Sequence, residues 1–279
     1  MNSQYRKLLY RELHVGIRMR NRAYFALACY AIMICLVYYF QIVHYFQKDN
    51  QVITPTSGDF LLHFLGGGLP QNHISKDSFY TMPIIWFATF FLIFLINGQS
   101  VRADFSACGY QYFIRTMDKR MWWISKVCWL SISVSLCFLI IVAVSFIFGI
   151  LLGNSTMLPT REINQVFHEV DTLEYTVGDV IVKGLIVPMI MTAGFCEFQI
   201  LLSFMINDIF SIVVLMIILI VSSSQNKYYL LGNYIMAFRD KKILGEEGIF
   251  LVYGIIVGIL LFGASMIGGY YIFKKKDVI

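Results

Sequence analysis

Apolar residues in this chain come in long continuous blocks rather than in the alternating pattern of a half-buried β-strand. The blocks lie at about residues 23–43, 81–101, 122–152, 184–206, 209–224 and 249–273. An α-helix of about 20 apolar residues crosses the ~30 Å hydrocarbon core of a bilayer, because its backbone hydrogen bonds are all internal. The fifth block is shorter, and only Asn207 and Asp208 separate it from the fourth. We therefore predict an all-α membrane protein with six transmembrane helices.

The composition supports this prediction. The chain has 279 residues, of which 58% are apolar and 14% charged. Soluble domains carry about 25% charged residues, and disordered chains are far less hydrophobic than this one. Continuous blocks also exclude a transmembrane barrel, whose strands alternate in polarity. Since no linker or repeat marks a further domain, residues 23–279 are predicted to form one six-span transmembrane domain.

Residues 1–22 have a different pattern. At 100° per residue, Lys7, Arg11 and Arg18 fall on one face of a helix, whereas Leu9 and Leu13 lie broadly opposite. This pattern predicts an interfacial amphipathic helix whose basic face is attracted to the anionic headgroups of membrane lipid. A solvated basic tail is the alternative.

The segments between the blocks differ in charge. The N-terminal segment, residues 102–126, the turn at 207–208 and the C-terminal tail together carry a net charge of +9, whereas residues 44–80, 153–179 and 225–248 together carry −4. Basic segments stay on the cytoplasmic side of a membrane. Both termini are therefore predicted to be cytoplasmic.

The segment between the second and third blocks is longer than a simple turn requires. It carries aromatic residues at positions 105, 110, 112 and 113. A short helix that begins after Asp104 as its N-cap would present Phe105, Tyr112 and Phe113 to a partner or to the membrane surface. Arg115 would hold its end at the headgroups, and residues 122–123, both Trp, would anchor the third span.

This order of segments resembles the transmembrane permease subunits of type 2 ABC transporters. In that family an N-terminal amphipathic helix precedes six spans, and a coupling helix between spans two and three docks on a cytoplasmic ATPase. Gly109 and residues 112–114, 118–120, 122–123 and 125–126 match the family pattern, although the usual proline is absent and Met117 stands nearest to it. The resemblance assigns ATPase coupling to Asp104, Phe105, Gly109, Tyr112, Phe113 and Arg115. It also implies re-entrant helices within residues 225–248.

The chain has no GxxxxGK[ST] motif that would bind nucleotide phosphates. We therefore predict that it is not an enzyme and holds no cofactor. The resemblance implies that a separate ABC ATPase subunit binds ATP and Mg²⁺, and that a second permease subunit, identical or different, completes the transporter. Gly254 and Gly258 have the spacing that allows close helix packing, either within the chain or between subunits. No nucleic acid partner is expected.

Glu197 is the only acidic residue deep inside a predicted span. A charge there is costly, so Glu197 is expected to face protein or water, to be protonated or to have a partner. It contacts substrate or a proton on the translocation path, or it makes a structural hydrogen bond to Asn97 or Gln99. Pro188 is expected to kink the same span. The histidines lack the spacing of a metal site, so no metal is predicted.

The expected function is that of a permease subunit in an ATP-driven exporter of amphipathic peptide or lipid-like cargo. The sequence is similar to exporters of antimicrobial or toxin peptides, or to self-immunity permeases, in the plasma membrane of bacteria. An exporter of drugs or small hydrophobic molecules is the alternative. An ion channel or ion-driven carrier is the alternative of another class. It would need polar residues along several spans, and the spans offer Glu197 with scattered Ser and Thr. A membrane enzyme is disfavoured, because no set of convergent catalytic groups falls on one span.

Overall fold

The computed structural model describes residues 3–48, 53–70, 83–98 and 119–275. These ranges are helical with irregular connections, and they contain no β-strand apart from an isolated bridge between Asp240 and Ile249. Four helices are long and apolar enough to cross a membrane: His14–Lys48, Arg120–Leu151, Val177–Met205 and Tyr253–Lys274. The prediction of an all-α membrane protein is thereby confirmed.

The helices follow the apolar blocks closely. They are α1 (Ser3–Lys48), α2 (Ser57–Leu65), α3 (Ile84–Gly98), α4 (Lys119–Leu151), α5 (Arg161–His168), α6 (Val187–Met205), α7 (Asp208–Ser224) and α8 (Tyr253–Lys275). A helical turn, Val177–Asp179, and a π-helix, Val180–Ile186, lead into α6. The short helical turns Leu231–Ile235, Ala237–Arg239, Lys241–Leu244 and Gly245–Glu247 connect α7 to α8.

Two apolar helices are shorter than the four candidate spans. Helix α3 has 15 residues and α7 has 17, and they occupy the second and fifth predicted blocks. Asn207 caps α7, because its side chain accepts a hydrogen bond from the backbone N–H of Phe210. The polar pair Asn207 and Asp208 therefore separates α6 from α7, as expected for a hairpin.

Helix α1 is one continuous element of 46 residues, roughly 70 Å long at 1.5 Å per residue. It continues across residues 22–23, where the amphipathic segment was expected to meet the first span. No proline lies between Gly16 and the end of α1, so the local sequence has no residue that would end the helix at residues 22–23. The interfacial position of residues 1–22 stays a prediction.

Helices α1 and α4 pack in parallel. Gly16 of α1 lies against the ring of Trp129, where a Cβ atom would overlap the ring. Further along, the hydroxyl of Tyr24 lies 2.6 Å from that of Ser133. At these two contacts the residue numbers increase in the same direction along both helices. Helices α1 and α4 therefore begin at the same end of the bundle.

Helices α6 and α8 also pack in parallel. A Cβ atom on Gly194 would lie 2.9 Å from the backbone oxygen of Gly258, and Leu201 contacts Gly268 further along. Small residues at these positions let the two backbones approach closely. Gly258 therefore serves packing within the chain.

Candidate functional site

Glu197 lies in the interior of α6 and is 1% exposed. Neither of its carboxyl oxygens has a hydrogen-bond partner in the part of the chain that the structure describes. Asn97, one of the two expected partners, donates its side-chain amide to the backbone oxygen of Ile93 at 2.8 Å. Gln99, the other, lies outside the described residues. The expected structural hydrogen bond from Asn97 to Glu197 is therefore not made.

The position of Glu197 follows from its neighbours on α6. It comes three residues after Gly194 and four before Leu201, and both of these face α8. Gln199 points elsewhere, because its amide donates to the backbone oxygen of Phe94 on α3 at 3.2 Å. Glu197 thus lies on the side of α6 that packs against α8.

Pro188 lies inside the continuous helical segment Val177–Met205, at the second residue of α6. The part of this segment that precedes it, Val180–Ile186, is a π-helix. A proline has no backbone N–H to donate to the turn before it, so an irregular turn is expected at this place. The expected kink of the span stays a prediction.

One end of the bundle, which we call the capped end, is covered by α2, α5 and residues 231–240. Residues 232–240 are all buried, although they are not regular α-helix. Their backbone is satisfied by neighbours: Trp86 donates its ring N–H to the Ile235 oxygen at 3.2 Å, and Phe238 donates its backbone N–H to Gly66 at 2.9 Å. Such backbone is tolerated at membrane depth only when it is enclosed by protein.

Asp59 joins α2 to α5 at the capped end and is fully buried. Its Oδ2 accepts hydrogen bonds from the backbone N–H and the hydroxyl of Thr56, at 2.9 and 3.0 Å. Its Oδ1 accepts from the backbone N–H of Thr160 at 2.8 Å and from the amide of Asn164 at 2.7 Å. Burial raises the pKa of Asp59, and the hydrogen bonds from Thr56 and Thr160 oppose that shift. The carboxylate therefore completes the capping box of α2, in which Thr56 is the N-cap residue, and it also links α2 to α5.

Lys183 on the π-helix holds the connection between α7 and α8. Its ammonium lies 2.6 Å from Asp240 and 2.8 Å from Asp179, and Lys242 lies 2.6 Å from Asp179. Tyr175 donates its hydroxyl to the Ala237 oxygen at 3.0 Å. These contacts fasten residues 237–242 to the start of α6.

An aromatic cluster joins α1, α2 and α5 at the same end. The rings of Tyr38 and His63 stack with centroids 3.7 Å apart, and Nδ1 of His63 lies 3.4 Å from Nε2 of His168. Burial lowers the pKa of His63 well below its usual value, and it lowers the pKa of His168 to about 4. Both imidazoles are therefore neutral at neutral pH. Within the described ranges, no three His, Cys, Asp or Glu side chains converge as metal ligands.

The six residues assigned to ATPase coupling lie outside the described residues: Asp104, Phe105, Gly109, Tyr112, Phe113 and Arg115. Among the candidate site residues the structure therefore places Glu197 alone. Sequence reasoning missed Asp59, Lys183 and Asp240. A local signal existed for Asp59, because Thr56 three positions earlier forms a Thr-x-x-Asp capping box with it.

The chain was compared with protein-family models, with curated proteins and with solved structures. None of the three comparisons finds a match.

Proposed function

We propose that this chain is the transmembrane permease subunit of a type 2 ABC exporter. In this arrangement α1, α3, α4, α6, α7 and α8 are the six spans. The observation that carries the proposal is the parallel packing of α1 with α4 and of α6 with α8. Two consecutive long helices that begin at the same end must be joined by a return crossing. The shorter helices α3 and α7 supply those two crossings, and residues 231–240 form a re-entrant segment.

The charge of the connecting segments supports an orientation with both termini in the cytoplasm of a bacterium. The basic residues 102–126 then lie on the cytoplasmic side, and the capped end faces outward. The acidic residues Glu162, Glu169 and Glu174 are exposed at that end. An excess of basic residues in cytoplasmic segments is typical of plasma membrane proteins.

The segment between α3 and α4 is the proposed docking surface for the motor. It carries Tyr112 and Phe113 on the side of the membrane where ATP is available, and the chain has no phosphate-binding motif. A separate ABC ATPase subunit, which binds ATP and Mg²⁺, closes on nucleotide and moves this segment. A second permease subunit, identical or different, encloses the translocation path with the first.

The proposed cargo is an amphipathic peptide or a lipid-like molecule. The described connections between the helices fold into short helices and turns against the bundle, and they form no large soluble domain that would select a hydrophilic substrate. Glu197 is the residue placed on the path, because it is an acid enclosed by α6 and its neighbours without a structural partner among the described residues. Transport then needs separation of helices that are packed together in this state.

The proposal predicts that a gene next to this one encodes an ABC ATPase, and co-expression with that ATPase tests the proposed function. We expect the two proteins to purify as a stable complex from detergent, and the double variant Tyr112→Ala, Phe113→Ala to lose the ATPase. The matched control is Tyr228→Ala, Tyr229→Ala. It removes two exposed aromatic rings, 74% and 62% accessible, from the loop that follows α7.

The two double variants separate specific docking from a general loss of aromatic surface. The control variant is expected to retain the ATPase, because its rings lie on the outward side of the proposed bundle. A complex that survives loss of Tyr112 and Phe113 would contradict the docking surface. Solute flux through the isolated chain, without any ATPase, would favour a channel or carrier instead.

A further inference from the structure

Glu197 differs from the other buried acids of the described chain. Asp59 accepts four hydrogen bonds, and Asp179 and Asp240 each lie within 2.8 Å of a lysine ammonium. Glu197 is equally buried, yet both of its oxygens lack a partner in the described residues. Buried ionised groups are normally paired, because an isolated charge in apolar surroundings costs several kcal/mol or more. The carboxyl of Glu197 is therefore neutral in this packed state.

Glu197 lies on the face of α6 that packs against α8. Leu261 of α8 lies against Gly194, and Gly268 of α8 lies against Leu201, so these contacts fall about one turn before and one turn after Glu197. Two turns further along the same face, the ring of Trp123 on α4 lies 5.8 Å from that of Phe204 and donates its N–H to an α8 backbone oxygen at 3.1 Å. We call this contact of α6 with α8 and α4 the seam, and the buried carboxyl of Glu197 lies along it.

We propose that Glu197 binds the ammonium or guanidinium group of a cationic amphipathic molecule when this seam opens. This inference rests on the proposed function, since it specifies the charge of the cargo on the proposed path. In the closed state the site is neutral because the carboxyl holds its proton. When the cation enters, the proton passes to water and a carboxylate–cation pair takes its place.

The charge balance explains why a monovalent cation fits the site. A neutral carboxyl and a carboxylate paired with one cation have the same net charge, so neither state leaves an uncompensated charge among apolar side chains. An anion would have no donor at Glu197 other than the carboxyl proton. A neutral amphiphile would leave the unpartnered carboxyl as it is.

The outward segment between α4 and α6 has a charge that suits the same cargo. Residues 153–179 carry five acidic residues and one basic residue, and Glu162, Glu169 and Glu174 are exposed there without an ion-pair partner in the described part of the chain. An excess of one charge sign raises the local concentration of the opposite ion. Exposed lysines of the other outward segment, Lys227 and Lys241, oppose this effect, so the specific site for the cation is the buried carboxyl of Glu197.

Labelling with dicyclohexylcarbodiimide tests the proposal on the purified full chain in detergent. This apolar reagent modifies protonated carboxyl groups in apolar surroundings, and mass spectrometry of peptides locates the product. We expect the product at Glu197 and none at Asp59, which is equally buried but accepts four hydrogen bonds. The variant Glu197→Gln is expected to lose the product and confirms the assignment.

Protection by a probe cation then tests the ligand class. Dodecyltrimethylammonium, present at about ten times its dissociation constant, is expected to slow labelling of Glu197 roughly tenfold by mass action. Dodecanoate and dodecyl maltoside have the same alkyl chain but carry no cation, so they are expected to leave the rate unchanged. Protection is measured on the unmodified sequence, so it does not depend on whether a variant folds.

Three results would overturn the inference: no product at Glu197, a rate that the cation leaves unchanged, or equal protection by dodecanoate or dodecyl maltoside. These results are independent of ATPase binding. Protection of Glu197 by the cation without formation of an ATPase complex would support the cation site and contradict the proposed exporter. An ATPase complex without protection would support the proposed exporter and contradict the cation site.

Discussion

Replacing Asp59 by Ala should loosen the capped end more than any other single change to an acid there. The variant removes the acceptor of four hydrogen bonds, two from Thr56 within the cap of α2 and two from Thr160 and Asn164. Loss of a helix cap costs about 1 kcal/mol. Each hydrogen bond to a charged group contributes about 1.5 to 3 kcal/mol. The two bonds that reach Thr160 and Asn164 therefore bring the expected total to about 4 to 7 kcal/mol.

The measurement is the free energy of unfolding of the purified chain in mixed micelles, with amide hydrogen exchange of α5 as a local probe. The matched control is Asp171→Ala. Asp171 pairs with Arg161, but both side chains are nearly half exposed, at 47% and 46%. Exposed pairs contribute at most about 1 kcal/mol. If both variants lost the same free energy, and α5 exchanged equally in both, the link assigned to Asp59 would be wrong.

Three other changes are expected to act through burial and packing. The pKa of His168 falls to about 4 and that of His63 is also lowered, so folding favours the neutral rings. The stabilisation that these two neutral rings contribute is fully present above their usual pKa of 6.5, and it is lost as the pH falls from 6.5 towards about 4. Thermal unfolding measured as a function of pH checks this expectation. Lys183→Met leaves Asp240 buried without its cation and should cost about 3 to 5 kcal/mol of unfolding free energy. Gly258→Leu overpacks the α6–α8 contact and should lower the same free energy by about 1 to 3 kcal/mol.

Each of these changes has a control in the chain. A double His→Gln variant of the two imidazoles should flatten the stability profile between pH 6.5 and about 4, and an unaltered profile would reject their role. Lys242 is 41% exposed, so Lys242→Met should cost about 1 kcal/mol or less. Gly263→Ala meets open space and should be nearly neutral. Equal losses in a variant and its control would contradict the packing described for that site.

The apolar helices can be predicted from the sequence because a continuous apolar block in a membrane protein leaves few alternatives to a helix. The block at residues 209–224 corresponds to α7, Asp208–Ser224, and the block at 249–273 corresponds to α8, Tyr253–Lys275. Charge patterning divides residues 1–43 at residue 22, whereas α1 is continuous there. The pattern describes the solvent around a helix and not where its hydrogen bonding stops.

The polar contacts at the capped end could not be predicted in the same way. Lys183 and Asp240 are 57 positions apart, and Asp59 and Asn164 are 105 positions apart. Pairing at such distances depends on how the helices pack, and a single sequence does not encode it in any local pattern. Glu197 was recognisable because an acid in an apolar block stands out locally. Its lack of a partner in the described chain became visible only in three dimensions.

Under the proposed function, this chain transports cargo only when a separate ATPase drives it. Uptake of a fluorescent amphipathic peptide can be measured in inside-out proteoliposomes that contain the chain, the partner ATPase, or both. We expect ATP-dependent uptake only when both proteins are present. Uptake by the chain alone, or by both proteins without ATP, would contradict the claim.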